Sequence, residues 1–191
     1  NGFILGSKEI SENELEPVIQ LWTTTDGGAT WIERNAALNF DPADFLFFTP
    51  KTGIATVKLV DGSNNDEIYR TTDGGLTWNG VKTPSNISIS GISLADAKTG
   101  FAVGDTPVNK NDNTASKIVV LKTVDAGATW TSTDIAFPPT SNEGTESHFI
   151  RFLNDQTGWV IKSNPYSEAS RSELLRTDDG GKTWKKTWAS D

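Results

Sequence analysis

The stretch "TTDGGLTW", residues 71–78, decides the fold. It sits between two short apolar runs and packs an aspartate, two glycines and a tryptophan into eight residues. It is not unique. Thr24, Asp26, Gly28, Thr30 and Trp31 match Thr71, Asp73, Gly75, Thr77 and Trp78 in register, and the match repeats at Thr123, Asp125, Gly127, Thr129 and Trp130 and at Thr177, Asp179, Gly181, Thr183 and Trp184. All five fixed positions of T-x-D-x-G-x-T-W are therefore filled four times, with the tryptophans 47, 52 and 54 residues apart. Self-similarity at that period marks a chain assembled from copies of one supersecondary unit.

The residue types suit a tight turn between two strands. Glycine supplies positive φ at low cost, and an aspartate carboxylate accepts hydrogen bonds from the amides of its own turn. Threonine fits strand ends. The tryptophan opens the following strand, where burial between its own sheet and the next would remove about 150–250 Å² from water. An active site needs one catalyst, whereas a device that closes a hairpin is needed once per sheet, so the reading favours a structural job for each boxed aspartate over a calcium or ligand role.

A second mark precedes each box: Asn1-Gly2-Phe3, Thr52-Gly53-Ile54, Thr99-Gly100-Phe101 and Thr157-Gly158-Trp159. Short apolar runs follow each glycine, and "DFLFF", "ISGISL" and "HFIRFL" precede three of them. These runs are too short for helices and are bounded by Gly, Asp and Asn, so they read as strands. Each unit then has four strands, A to D, which in the second repeat are expected at about 44–50, 53–60, 67–72 and 76–83. The repeats divide the chain at about 1–40, 41–87, 88–139 and 140–191.

All-β units of this length point to an all-β protein, a β-propeller of four-stranded antiparallel blades. The turn resembles the Asp-box, or BNR repeat, of sialidases, sortilin-type receptors, xyloglucan-cleaving endoglucanases and the photosystem II assembly factor family. The pairing of "TGFAVG" with "TDGG-x-T-W" is most similar to the last of these. The resemblance covers essentially the whole chain, and it implies that the boxes lie on the rim opposite the binding face.

Counting strands leaves an irregularity. The first repeat begins at strand B and the fourth ends soon after strand D, giving fifteen strands and a first blade without its inner strand. A ring normally completes its last blade with a strand from the other end of the chain, which removes exposed edges. The expectation is a piece of a longer propeller, or pairing with a second copy. The lack of Met, even at position 1, is expected of a processed product or an excised piece, from which any targeting segment has been removed.

Composition narrows the partners. A net charge of −8 disfavours nucleic acid and anionic membrane surfaces, which require basic patches. No apolar run approaches the roughly 20 residues of a membrane helix, so no membrane insertion is expected. The absence of Cys excludes disulfides and thiolate chemistry and fits a bacterial source, and the single His148 excludes multi-histidine metal sites. No cofactor and no metal are expected.

The box turns are short and uniform, whereas the B–C connections differ: "SKEISENELEPVI", "DGSNNDE", "GDTPVNKNDNTAS" and "SNPYSEASRSE". The D–A connections vary likewise. A scaffold with one monotonous and one variable rim is expected to bind through the variable one. The polar candidates there are Asp61, Asn64, Asp66, Asn109, Asp112, Glu143, Glu146, Arg151 and Tyr166. "DGSNNDE" alternates oxygen ligands as calcium loops do but lacks the spacing of an EF-hand. His148, near Glu146 and Arg151, is the clustered titratable group, and reads as a satisfied edge residue rather than a base.

Sialidase-like chemistry would need an arginine cluster, a tyrosine activated by a glutamate, and an acid. The five arginines include Arg70 and Arg176, each three residues before a boxed aspartate, a repeated placement that reads as architectural. Tyr69 is likewise in a repeated strand position. A xyloglucanase-like hydrolase would need two opposed carboxylates, which the sequence does not pair. The leading reading is a non-catalytic, extracytoplasmic binding or assembly module with a protein or carbohydrate ligand on the B–C and D–A face. The alternative is part of a glycoside hydrolase propeller.

Overall fold

A computed structural model describes residues 1–8, 18–38, 40–58, 66–84, 86–109, 112–135, 140–141, 147–163 and 172–189. Every regular element among them is a strand. The first sheet comprises β1 (Gly2–Lys8), β2 (Val18–Thr24) and β3 (Ile32–Leu38). The second holds β4 (Pro42–Phe47), β5 (Gly53–Val57), β6 (Glu67–Thr71) and β7 (Asn79–Val81). The third runs through β8 (Ser88–Leu94), β9 (Gly100–Asn109), β10 (Asp112–Thr123) and β11 (Thr131–Asp134), with β12 (Thr140–Ser141) pairing on β10. The fourth is β13 (Ser147–Phe152), β14 (Gly158–Ser163), β15 (Ser172–Thr177) and β16 (Lys185–Ala189). Apart from β12, neighbours in sequence are neighbours in space within each sheet, and all pairs are antiparallel.

The expected four-strand unit, the inner strand missing from the first sheet, and the propeller stacking are all present. Three details differ. The strands of the second sheet are shorter than expected, ending at Phe47, Val57, Thr71 and Val81. The third sheet's B–C connection is a long hairpin rather than a loop, with Asn109 and Asp112 paired across its tip, as a turn-forming Asn-Lys-Asn-Asp run permits. The extra two-residue strand β12 then pairs at Ala115 and Ser116, making sixteen strands among the described residues where fifteen were expected.

Alternation places the core between sheets. Ile54 and Ile68 of the second sheet meet Ile89, Ile92, Ala102, Val119, Leu121 and Trp130 of the third in one buried cluster. The opposite side of the third sheet presents Phe101, Val103, Ile118 and Val120 to Ile150, Phe152, Val160 and Leu175 of the fourth. Burying each such side chain contributes roughly 1.5–3 kcal/mol. Between the first and second sheets, Phe3 stacks on Phe47 with ring centroids 3.5 Å apart. The inner strands β4, β8 and β13 approach one another along a common side. Among the described residues no helix is long and apolar enough to cross a membrane.

The four boxes share one hydrogen-bond pattern. In the second, the Thr71 hydroxyl donates to Asp73 Oδ1 at 2.8 Å and accepts from the Gly75 amide at 2.9 Å. Asp73 Oδ1 also takes the Thr77 amide at 2.9 Å, and Oδ2 the Thr77 hydroxyl at 2.6 Å. The same contacts recur around Asp26, Asp125 and Asp179. Two consecutive residues in each box have positive φ, for example Gly74 at 78° and Gly75 at 89°. The third box tolerates Ala126 at 55° in the first of these places, which costs about 1–2 kcal/mol relative to glycine.

The two sequence marks meet at this rim. The Gly74 amide donates to Lys51 O, Ala126 to Lys98 O and Gly180 to Gln156 O, each at 2.8 Å. The second, third and fourth boxes are thus pinned to the A–B turns of their own sheets. The box tryptophan faces the preceding sheet rather than the next: Trp130 lies in the cluster shared with Ile54 and Ile68, and Trp184 packs edge-on to Phe152 in the cluster between the third and fourth sheets. Among the described box tryptophans full burial is confined to Trp130, at 8% exposure, while Trp31 is 39% exposed.

Candidate functional site

Since the A–B turns and the boxes occupy one rim, the starts of the A strands and the ends of the B strands mark the other. The described groups there fall into three sets. Asp66, just before β6, is 5% exposed and bonded to the next sheet: its amide donates to Ile87 O at 2.9 Å, and its Oδ2 accepts the Ile89 amide at 2.7 Å. This carboxylate clamps the second sheet to the third, so packing occupies the group the sequence offered for a ligand. His148, at the inner edge of the fourth sheet, is buried with Nδ1 3.0 Å from Asp105 Oδ2 on β9. That pair ties the third sheet to the fourth in the same way.

Asp44 on β4 is the third group, and sequence reasoning missed it. Its side chain is solvent-exposed; partial desolvation by its neighbours nonetheless raises its pKa, while the amides of Phe45 and Ile92 and the charge of Arg151 pull the other way. The Phe45 amide lies 2.8 Å from Oδ1. Asp44 and Arg151 come from the inner strands of the second and fourth sheets, and although the charge of Arg151 acts on Asp44, Arg151 stands at the end of β13 beside the A–B turn, towards the box rim and not opposite it as the sequence suggested. Arg151 itself is exposed and lies opposite Trp159 on β14. Asp44 can present one acidic group to a polar ligand.

Asn109 and Asp112 lie on the strands of the long hairpin, as described above. Asp61, Asn64, Glu143, Glu146 and Tyr166 lie outside the described residues. The groups that were missed, Asp44 and Asp105, carry no local signature. An aspartate in an otherwise apolar strand start, as in "PADFLFF", was the available hint. Among the described residues no cluster of three or more His, Asp or Glu could hold a metal ion.

The boxed carboxylates are electrostatically distinct from Asp44. Burial works to raise Asp73 and Asp125, but the hydroxyl and amide of Thr77 or Thr129, with the other turn donors, outweigh it and bring each down to about 2. The Thr183 hydroxyl and amide bring Asp179 to about 2 as well, and Thr24 and Thr30 hold Asp26 well below the usual carboxylate range. Because these folded pKa values lie below the ordinary 3.8, the turns stabilise the fold fully above about pH 4 and lose that contribution as pH falls towards about 2. Asp44, raised instead, works in the opposite sense. The melting temperature is expected to stay level from about pH 7 to 5 and then drop steeply, a slope that Asp73→Asn should reduce; a level profile down to about pH 2 would contradict the turn assignment.

Comparison with known proteins places this geometry. No curated protein matches the chain. Among solved structures, the GH74 xyloglucanase of Xanthomonas campestris superposes with a TM-score of 0.56 at 19% identity, over 90% of this chain and 28% of that one. The NanB sialidase of Streptococcus pneumoniae gives 0.52 at 18% identity, over 84% and 26%. A protein of unknown function from Dyadobacter fermentans gives 0.55 at 16% identity, over 94% and 60%. The chain thus spans from about a quarter to three fifths of the length of these structures, and at such identities the likeness establishes the propeller fold alone. Residues 66–190, more than half of the chain, match the family model described as "Sortilin, neurotensin receptor 3". With its box-closed sheets stacked in series, the chain belongs to the Sortilin-Vps10 family of β-propeller proteins.

Proposed function

We propose that this chain is a non-catalytic binding or assembly module working outside the cytoplasm, with a protein or glycan ligand held on the rim opposite the boxes. One observation carries the reading: all four repeated acidic residues are consumed by bonds within their own turns, on one rim. The recurring feature is therefore spent on folding, and ligand specificity falls to the rim whose connections differ in length and sequence. The receptor named by the family description accords with a binding role. The motif resemblance to photosystem II assembly factors supports a protein ligand, and the fold shared with sialidase and xyloglucanase supports a glycan.

The test uses immobilised xyloglucan, a sialylated oligosaccharide and a displayed peptide library as probes. Asp44→Asn should weaken retention at least tenfold with the melting temperature unchanged. Asp73→Ala should do the reverse, lowering stability by about 1–3 kcal/mol as turn donors lose their acceptor, with retention intact. Release of reducing sugar or sialic acid by the folded protein would replace the binding reading with a glycoside hydrolase.

A further inference from the structure

Asn79 and Gly80 open β7, and they form the one internal Asn-Gly pair of the chain. A glycine in that place neither shields its amide nitrogen nor restricts the backbone, so the nitrogen can reach the Cγ of the preceding asparagine. Both residues are exposed, and nothing among the described residues hydrogen-bonds the Asn79 side chain. The register shows where the Gly80 amide points. In the third sheet the Ile135 amide donates to Ile118 O, so that Ile118 with Ile135 and, at alternating steps, Lys122 with Thr131 are the hydrogen-bonded pairs of β10 and β11. Lys122 and Thr131 stand where Arg70 and Asn79 do, three places before and six after a boxed aspartate. Tyr69 and Gly80 therefore form a non-hydrogen-bonded pair, and the Gly80 N–H faces away from β6, at the outer edge of the sheet. The Asp-Gly steps of the boxes are built the opposite way. Gly74 N–H donates to Lys51 O and Gly180 N–H to Gln156 O, each at 2.8 Å, while threonines hold the carboxylates of Asp73 and Asp179. There both the attacking nitrogen and the acceptor group are engaged; at Asn79 neither is.

A second set of contacts gives Asn79 its consequence. Arg70, directly across from it on β6, donates from Nε to Ala126 O in the third box at 2.8 Å. Ala126, at φ 55°, is the one residue other than glycine in the left-handed places of the boxes, so Arg70 holds the carbonyl of the most strained turn. Lys122 Nζ reaches Gly180 O in the fourth box in the same manner, at 3.2 Å. Residues directly opposite on an antiparallel pair share a face, which puts the Asn79 side chain beside the Arg70 guanidinium. Where a carboxylate does lie close to an arginine in this position, the two bond: Arg176 on β15 contacts Asp178 at 2.7 Å.

We propose that Asn79 is a site of spontaneous deamidation whose product loosens the junction between the second and third sheets. The Gly80 nitrogen gives up its proton and bonds to Asn79 Cγ; the Cγ–Nδ2 bond breaks, ammonia leaves, and a cyclic succinimide closes. Water then opens the ring at either carbonyl, giving aspartate or isoaspartate, so that amide and water are consumed and acid and ammonia formed. The strand β7 is three residues long and paired on one side, and the local opening that the attack requires leaves the rest of the sheet intact. Aspartate sets a carboxylate opposite Arg70, where it competes with Ala126 O for the guanidinium. Isoaspartate also lengthens the main chain by one carbon and breaks the ladder between β6 and β7.

Incubation of the full chain in warm, mildly alkaline buffer, followed by peptide mapping with mass detection, tests the reaction; mapping separates Asn79 from the other Asn-Gly pair, Asn1-Gly2. Asn79 should convert about tenfold or more faster than the exposed Asn154, which precedes aspartate, with ammonia released and the two acid isomers resolved as separate peptides. Gly80→Ala should slow the conversion by about tenfold or more. That variant keeps the fold, because a Cβ at Gly80 meets only Tyr69 Cε1, at an ordinary 4.0 Å. Asn79→Asp supplies the aspartyl product directly. Hydrogen exchange at the Ala126 and Gly127 amides should then quicken by about tenfold, while exchange at Gly180 and Gly181 in the fourth box stays level. In an Arg70→Gln background, where the third box has already lost its support, Asn79→Asp should add nothing. An Asn79 that lasts as long as Asn154 would overturn the proposal. Unaltered exchange in the third box of Asn79→Asp would overturn the link through Arg70.

Discussion

Phe101→Ala lowers the unfolding free energy by about 3–5 kcal/mol, the largest effect expected of a single truncation in this chain. The ring is fully buried and stacks on Phe152 with centroids 3.4 Å apart and planes within 2°. Lys122 Nζ stands 5.1 Å over the ring, on its way to the next box. Phe101 Cε1 is also within 3.7 Å of where a Cβ on Gly181 would sit, so the ring forms part of the seat for the fourth box. Truncation leaves a cavity at a junction of two sheets that neither hairpin can collapse to fill. The melting temperature should fall by roughly 6–20 °C, at about 2–4 °C per kcal/mol for a chain of this size. Leu153→Ala, at a site 72% exposed, should change stability by no more than about 0.5 kcal/mol. A loss below about 1 kcal/mol for Phe101→Ala would show that the third and fourth sheets are not packed through this ring.

Gly75→Ala is expected to cost about 2–5 kcal/mol, from two separable sources. The backbone sits at φ 89°, where any side chain is strained by about 1–2 kcal/mol. A Cβ there would also lie 2.2 Å from Leu21 Cδ2 of the first sheet. Leu21 is fully buried, so it cannot swing aside without disturbing the junction, an overpacking cost of about 1–3 kcal/mol. The position before the fixed glycine, taken in the first box, isolates the first source: Gly27 has φ 75° and no neighbour within 4 Å of a built Cβ, so Gly27→Ala should cost only about 1–2 kcal/mol. Equal losses at the two positions, measured by denaturant titration, would mean that the box does not press on the neighbouring sheet. The same contrast applies in the third box, where a Cβ on Gly127 would meet Ile54 Cγ2 at 2.5 Å.

This second role explains a feature of the motif. The fixed glycine of T-x-D-x-G-x-T-W is required by its own dihedral everywhere and, in the second and third boxes, by the sheet before it; at the variable position a Cβ would meet nothing in the first box but the A–B turn carbonyls in the second and fourth, Pro50 O at 3.1 Å and Asp155 O at 2.7 Å. Alanine is found at the variable position in the third box alone, as Ala126, and at none of the four fixed ones.

The four boxes, the four-strand unit and the missing inner strand were legible in the sequence because the box is a self-contained object. Its donors and acceptors, Thr71, Asp73, Gly75 and Thr77, lie within seven consecutive residues, so the chemistry that makes the turn is also the pattern that reveals it. What tertiary structure decided depends on partners remote in sequence. Asp66 looked like a loop ligand until Ile89, 23 residues on, used its carboxylate. Arg70 looked merely repetitive until Ala126, 56 residues away, supplied the carbonyl it holds. Asp44 comes within the electrostatic influence of Arg151 because inner strands from different sheets converge, an outcome no local spacing encodes. A hydrogen bond inside one turn leaves its mark on neighbouring residues, whereas one between sheets is set by how whole faces stack, and that information exists only once the chain has folded.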